Sequence, residues 1–332
     1  MINKKKNHKN TNGRRILLLS ILCLFGFCLV AQVRPQRNAA QPAKSKVYLL
    51  HSDVLKKSKD NSDAQILVGD VSFRHDSIYM YCDSACFYEK TNSLEAFHNV
   101  KFVQGDTLFL YGDYLFYDGN TQLAQVRNNV RMENRTTTLT TDSLNYDRIA
   151  NLGYFFDGGT LMDEQNVLTS DWGEYSPATK MSVFNYEVKL VNPQFTLTSD
   201  TLRYNTDTKI ASIVGPSDID SDENHIYSEL GFYYTQQGQA ELLERSVLTN
   251  NGKRMTGDSL FYDRNRGIGE AFRNVELVDT INKNMLTGDY CFYNQLTGYA
   301  FATDRAMATD FSQGDSLFIH ADTLQLYTFH VN

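Results

Sequence analysis

An acidic residue recurs every 29 residues through the middle of this chain, at Asp113, Asp142, Asp171, Asp200, Glu229 and Asp258. Each is followed four residues later by a tyrosine: Tyr117, Tyr146, Tyr175, Tyr204, Tyr233 and Tyr262. Looser copies flank the series at Asp53, Asp83, Asp289 and Asp322, 30 to 33 residues from their neighbours. A fixed period of this length marks one supersecondary unit stacked on copies of itself, because a single unit cannot bury its own apolar face.

Within a unit the hydrophobic period is two, which specifies strands. In Asp113-Tyr114-Leu115-Phe116-Tyr117, Leu115 and Tyr117 share one face and Tyr114 and Phe116 the other. The same-face pair returns as Leu144/Tyr146, Leu202/Tyr204 and Leu260/Tyr262, with Gly173, Gly231 or Cys291 replacing the leucine elsewhere. The opposite face varies (Phe116, Asn145, Glu174, Arg203, Phe232, Phe261), as expected of a face that meets solvent. Turn formers follow each tyrosine, for example Asp118-Gly119-Asn120 and Asn205-Thr206-Asp207. A second strand starts near an alanine and passes through Asn99-Val100, Asn129-Val130, Glu187-Val188 or Asn274-Val275. A third short run, such as Thr138-Leu139-Thr140, leads into the next aspartate. No stretch carries a helical period with caps, so the expected class is all-β. Nine units stacked at roughly 4.8 Å per strand, one layer per sheet, predict a rod about 40 Å long.

The first 31 residues read as a signal peptide. Lys4, Lys5, Lys6, Lys9, Arg14 and Arg15 precede the apolar run Ile16 to Val30, which ends in Ala31-Gln32. That run is short for a membrane span. Residues 32–46 hold Pro35, Pro42, Arg34, Arg37, Lys44 and Lys46 and read as a disordered basic linker. The repeat domain is expected over 47–332. Without the six leader cations the chain keeps 26 Lys plus Arg against 39 Asp plus Glu, a net of −13. Such a surface repels polyphosphate, so nucleic acid is not an expected partner.

Chemistry is sparse. Cys82, Cys86 and Cys291 lie outside the leader, an odd number that argues against a disulfide framework; all three are expected to be buried apolar positions. No two histidines have ligand spacing, and no nucleophile elbow or phosphate-cradling loop occurs, so no enzyme activity and no cofactor are expected. The repeated carboxylates occupy equivalent positions in different layers and are expected to be structural. The Leu/Tyr face has two readings: a packed solenoid core, or a trough between facing sheets that accepts acyl chains. Tyrosine suits a trough wall because its ring is apolar and its hydroxyl can reach a wet edge.

Gly112-Asp113-Tyr114-Leu115-Phe116-Tyr117-Asp118 with Asn128-Asn129-Val130-Arg131-Met132 resembles the repeats of the OstA-like family. Thr256-Gly257-Asp258-Ser259-Leu260-Phe261-Tyr262-Asp263 with Arg273-Asn274-Val275-Glu276-Leu277 is an equally good copy. These repeats occur in the periplasmic lipopolysaccharide-transport protein LptA and in the N-terminal domain of its outer-membrane partner LptD. The resemblance implies an open β-jelly roll that holds lipid A acyl chains between two sheets. It implies assembly by edge-strand pairing, either with other transport components or end to end with copies of itself. Leu115, Tyr117, Leu144, Tyr146, Leu202, Tyr204, Leu260 and Tyr262 would then line the lipid path. The alternative class is a structural or adhesive exported solenoid without a lipid ligand.

Overall fold

The computed structural model describes residues 45–58, 63–221 and 223–327. The leader and all but the last two residues of the linker lie outside them. The chain divides into two units, Met1–Lys44 and Ser45–Asn332, and every described residue belongs to the second.

Among the described residues the regular structure is all strand, in one continuous antiparallel array built by pairing between strands close in sequence. Two short strands open it, β1 (Tyr48–His51) and β2 (Val54–Lys57), both paired with β3 (Gln65–His75). Long strands come next: β4 (Ile78–Tyr88), β5 (Ser93–Gln104), β6 (Leu108–Asp118), β7 (Leu123–Asn134) and β8 (Thr137–Asp147). Two strand positions are then split, giving β9 (Leu152–Phe155), β10 (Gly159–Asp163), β11 (Asn166–Ser170) and β12 (Trp172–Tyr175). Long strands resume as β13 (Met181–Asn192), β14 (Phe195–Asn205), β15 (Ile210–Ser221) and β16 (Asn224–Tyr234). A second split region holds β17 (Gln239–Leu243), β18 (Ser246–Asn250), β19 (Lys253–Gly257) and β20 (Ser259–Asp263). The array finishes with β21 (Ile268–Asp279), β22 (Asn284–Asn294), β23 (Tyr299–Asp310) and β24 (Leu317–Tyr327).

Each long strand is broken in register near its middle, for example between Tyr111 and Tyr114 and between Arg127 and Val130. The cause is local. Asn128 and Asn129 have φ of 61° and 54°, and His98/Asn99, Tyr186/Glu187, Arg273/Asn274 and Asp304/Arg305 repeat the arrangement. Two successive left-handed residues turn the strand sharply, a conformation that asparagine tolerates better than most side chains. Four of the periodic carboxylates brace these corners. Asp83 accepts from Asn99 Nδ2 (2.8 Å), Asp113 from Asn129 Nδ2 (2.6 Å) and Asp258 from Asn274 Nδ2 (3.1 Å). Asp289 accepts from Arg305 Nε (2.9 Å) at the equivalent place. The aspartates therefore sit at mid-strand corners, and the run Thr138-Leu139-Thr140 and the next pair, Leu144/Tyr146, belong to one bent strand. Pro216 is accommodated at such a corner, after Gly215 at φ 102°.

Bending splits the array into two facing half-sheets joined along a spine of corners. The interior between them is one hydrophobic cluster running from Val47 to Ala306. Each 29-residue unit contributes two strands to each half-sheet, not one. With each of the four split positions counted as one strand, β3 to β24 make eighteen strand positions, which at the usual spacing span about 80 Å, twice the length expected from one layer per unit.

Two kinds of turn link the strands. Turns that are mostly two residues long, such as Asp76-Ser77 and Glu164-Gln165, close one end of the strand pairs; three residues follow Gln104 and four follow Asp279. Four-residue turns (five residues in the turn ending at Lys180) close the other end and finish on a left-handed residue: Asn92, Gln122, Asn151, Lys180, Lys209 or Gly238. Their first turns are fixed by side chains. Asp147 Oδ1 accepts from the amides of Ile149 and Ala150, and Asn205 Oδ1 from those of Asp207 and Thr208. Successive four-residue turns also stack by backbone bonds, as in Gly119 N to Asn92 O, Thr235 N to Lys209 O and Gln295 N to Gly267 O.

Candidate functional site

The eight residues of the Leu/Tyr face all point into the interior. Leu115, Tyr117, Leu144, Tyr146, Leu202 and Tyr204 have no exposed surface; Leu260 and Tyr262 keep 2% and 1%. They lie on β6, β8, β14 and β20 and alternate with outward residues, as strand geometry requires. The wall is therefore continuous, and in this structure it is filled by its own side chains. Glycine does not widen it. A Cβ on Gly173 would meet Cζ of Phe155 at 2.5 Å, and one on Gly231 would meet the carbonyl oxygen of Glu241 at 2.6 Å. Cys82 and Cys291 are buried, with burial raising their thiol pKa values to about 11 and about 12. Cys86 is only half-buried because it faces outward on β4. The outward position Asn145 is covered too: Arg127 Nη2 donates to its Oδ1 at 2.8 Å.

On the side away from the spine the two half-sheets meet along a polar seam, where four-residue turns of one half lie against two-residue turns of the other. Each buried tyrosine in the first half of the array sends its hydroxyl there. Tyr117 Oη lies 2.6 Å from His75 Nδ1, whose Nε2 meets Ser45 Oγ at 2.5 Å. Tyr146 donates to Gln104 Oε1 and Asn151 Oδ1, each at 3.3 Å. Tyr175 donates to Asn134 Oδ1 (3.2 Å), which Lys180 also reaches. Tyr204 donates to Asp163 Oδ2 (2.8 Å) and accepts from Asn166 Nδ2 (2.8 Å).

The seam also carries ion pairs. Lys209 Nζ lies 2.7 Å from both Asp163 oxygens, with side-chain exposures of 7% and 0%, and 3.3 Å from the half-exposed Glu164. Arg148 bonds Asp76 (3.1 Å), 72 residues away, and Arg264 reaches Gln194 across the same line. Burial pushes the Tyr146 and Tyr233 phenols up to about 12, and Tyr117 and Tyr204 upward as well. Burial lowers the His75 pKa, so that ring favours its neutral form.

The seam was not read from the sequence, although it left a periodic trace. His75, Gln104, Asn134, Asp163, Asn192, Ser221, Asn250 and Asp279 are polar residues 29 or 30 apart, each the last residue of its strand before the turn at this end. The first four lie 41 or 42 residues ahead of the tyrosine each one meets.

Set against known proteins, the chain matches the OstA-like protein family over residues 44–200 and 218–310. It belongs to the OstA-like family. Among solved structures it is similar to LptH, described as the LptA homologous periplasmic component of the lipopolysaccharide transport device from Pseudomonas aeruginosa. That likeness covers 35% of this chain and 96% of LptH at 19% identity, with a TM-score of 0.33. No curated protein matches this OstA-like chain.

Proposed function

We propose that this OstA-like chain is an exported, periplasmic carrier of lipopolysaccharide that holds lipid A acyl chains between its half-sheets. Leu115, Tyr117, Leu144, Tyr146, Leu202, Tyr204, Leu260 and Tyr262 form the wall. The observation that carries the reading is the uninterrupted apolar interior, built from equivalent side chains in successive layers. Because these side chains fill the space, an acyl chain enters by displacing them as the half-sheets part along the seam. Each buried methylene contributes about 0.8 kcal/mol, so one long acyl chain supplies on the order of 10 kcal/mol against the seam bonds and the lost packing. Equivalent contacts in successive layers keep the ligand's energy nearly level along the array, which is what movement requires.

The role is one of binding and conduction rather than chemistry. At its far end β24 is paired only with β23 among the described residues, and Leu317, Phe318 and Ile319 are more than half exposed. An edge of this kind accepts another strand, which supplies the contact to further transport components or to a second copy of the chain. The closed interior favours a second reading, a structural or adhesive solenoid without lipid.

A photo-crosslinking side chain placed in cells at Leu144, at Leu326 near the open end and at exposed Arg203 separates the two. Lipopolysaccharide adducts at Leu144 or Leu326 but not at Arg203 support the carrier. A folded, exported protein with no adduct at Leu326 or Leu144 supports the structural solenoid.

A further inference from the structure

The chain is acidic, yet one outer face concentrates cations on aromatic rings. It belongs to the half-sheet formed by β3 to β7, on the side opposite the buried Met80, Phe102, Leu110 and Met132. Strand register places Tyr81 opposite Lys101, Lys101 opposite Tyr111, and Tyr111 opposite Arg131. This gives a row across four strands in which aromatic ring and cation alternate. A second row, nearer the seam, runs through Arg74, Tyr79, Val103 and Phe109. Four cation–ring contacts lie on this face. The Arg131 guanidinium sits 4.4 Å from the Tyr111 centroid, Lys101 Nζ 5.6 Å from Phe109 and 6.0 Å from Tyr111, and Arg74 5.9 Å from Tyr48.

The rings are accessible. Tyr48, Tyr79 and Tyr81 keep 54%, 38% and 41% of their surface, although aromatic side chains lose most by staying wet. Lys101, Tyr111 and Arg131 also line an open depression of about 410 Å³ with Asn99, Asn129 and Asp113. The carboxylates nearby are engaged: Glu133 with Arg131 (2.6 Å), Asp113 with Asn129 and Asp83 with Asn99. Cations held over ring faces are pre-organised, so they lose little freedom when an anion arrives.

We propose that this face binds the phosphate-bearing oligosaccharide of lipopolysaccharide; the choice of this glycan rests on the carrier reading. Tyr81 and Tyr111 stack on sugar rings, Lys101 and Arg131 pair with phosphate, and Asn99 and Asn129 meet hydroxyls. Aromatic and cation alternate at the strand spacing of about 4.8 Å, comparable to the length of one pyranose unit, so an extended glycan lying across the strands matches the row. The location fits as well. Arg74 and Tyr79 are within three residues of the two-residue turn Asp76-Ser77, which is part of the seam. A headgroup emerging from the interior there passes directly onto this face.

The test is calorimetric titration of the exported chain with lipopolysaccharide core oligosaccharide stripped of its acyl chains but retaining phosphate. Wild type is expected to bind. Lys101→Gln with Arg131→Gln weakens binding at least about tenfold, and Tyr111→Leu also weakens it. The charge-keeping pair Lys101→Arg with Arg131→Lys stays within about threefold of wild type, because charge at these positions carries most of the attraction. Circular dichroism verifies folding of each variant, which is expected because the changes are on the surface. Absence of binding by wild type, equal binding of dephosphorylated oligosaccharide, or unchanged affinity in the double glutamine variant overturns the proposal. So does binding of an oligoglutamate peptide in place of the glycan, which would mark an acidic polypeptide as the partner. The probe has no acyl chain, so these results are independent of the crosslinks that decide the carrier reading.

Discussion

Replacing Lys209 with methionine removes the cation from the most buried ion pair at the seam. Asp163 is then left with no exposed surface, one hydrogen bond from Tyr204 and no counter-charge. Breaking a buried pair from one side costs about 3–5 kcal/mol. The reverse change, Asp163→Asn, should cost less. It leaves Lys209 within 3.3 Å of Glu164, whose side chain is 53% exposed, and keeps an oxygen to accept from Tyr204. We expect about 1–3 kcal/mol for that single change. The double variant Lys209→Met/Asp163→Asn has no buried charge and should recover most of the loss, ending within about 1 kcal/mol of Asp163→Asn alone. Trp172, the chain's only tryptophan, lies on β12 among these central layers, so urea unfolding monitored by its fluorescence reports the right region. A Lys209→Met cost below about 1 kcal/mol, or a larger cost for Asp163→Asn than for Lys209→Met, would refute the reasoning.

The same contacts lead to other expectations. His75 has its pKa lowered from 6.5 by burial, so between that value and the folded one the unfolded chain binds more protons; stability is complete above 6.5 and falls as pH falls through this window. The urea midpoint by circular dichroism should therefore drop from about pH 7.5 to about pH 5.5, and less steeply in His75→Gln. Asp76, whose pKa is lowered by hydrogen bonds from Arg148 and Ser45 that outweigh its desolvation, contributes stability above 3.8 that is lost only at more acidic pH. Gly173→Ala and Gly231→Ala should each cost about 1–3 kcal/mol by overpacking. Phe155→Leu should rescue only the first, because the second clash is with backbone; two denaturation curves per pair decide it. At the corner, Asn129→Val should lose about 1–2 kcal/mol, because β-branched residues resist φ of 54°, while Asn129→Gly should lose less.

Strand class and the inward face were legible because alternation is a one-dimensional signal. Leu115 and Tyr117 must share a face whatever the strand pairs with, and their burial is a result of stacking. The corners were harder. Asp113 and Asn129 look like loop residues, and only their 16-residue contact explains why an acid and an asparagine interrupt a strand without ending it. A trace did exist in β6, where burial falls on Leu108, Leu110 and Gly112 and then on Leu115 and Tyr117, so the parity of the inward residues flips at the bend. That missed bend is why the expected number of layers per sheet was half of what the strand count gives. The seam stayed hidden for a different reason. His75 and Asp163 meet tyrosines 42 and 41 residues later, a separation set by how two half-sheets close and not by any local preference. The cation–aromatic row needs register: Lys101 and Tyr111 become neighbours only once β5 pairs with β6.

Pairing between sequence neighbours has a consequence for how such a chain acquires its structure. Every strand finds its partners in the adjacent segments, and the longest hydrogen bond identified across the seam, Arg148 to Asp76, spans 72 residues. Contacts this local relative to a 332-residue chain impose little loop-closure entropy at any one step. A polypeptide emerging N-terminus first can complete each layer as soon as the next two or three units have appeared, using the finished layers as a template. The growing tip then presents one unsatisfied strand at a time, and assembly proceeds by addition at a single end.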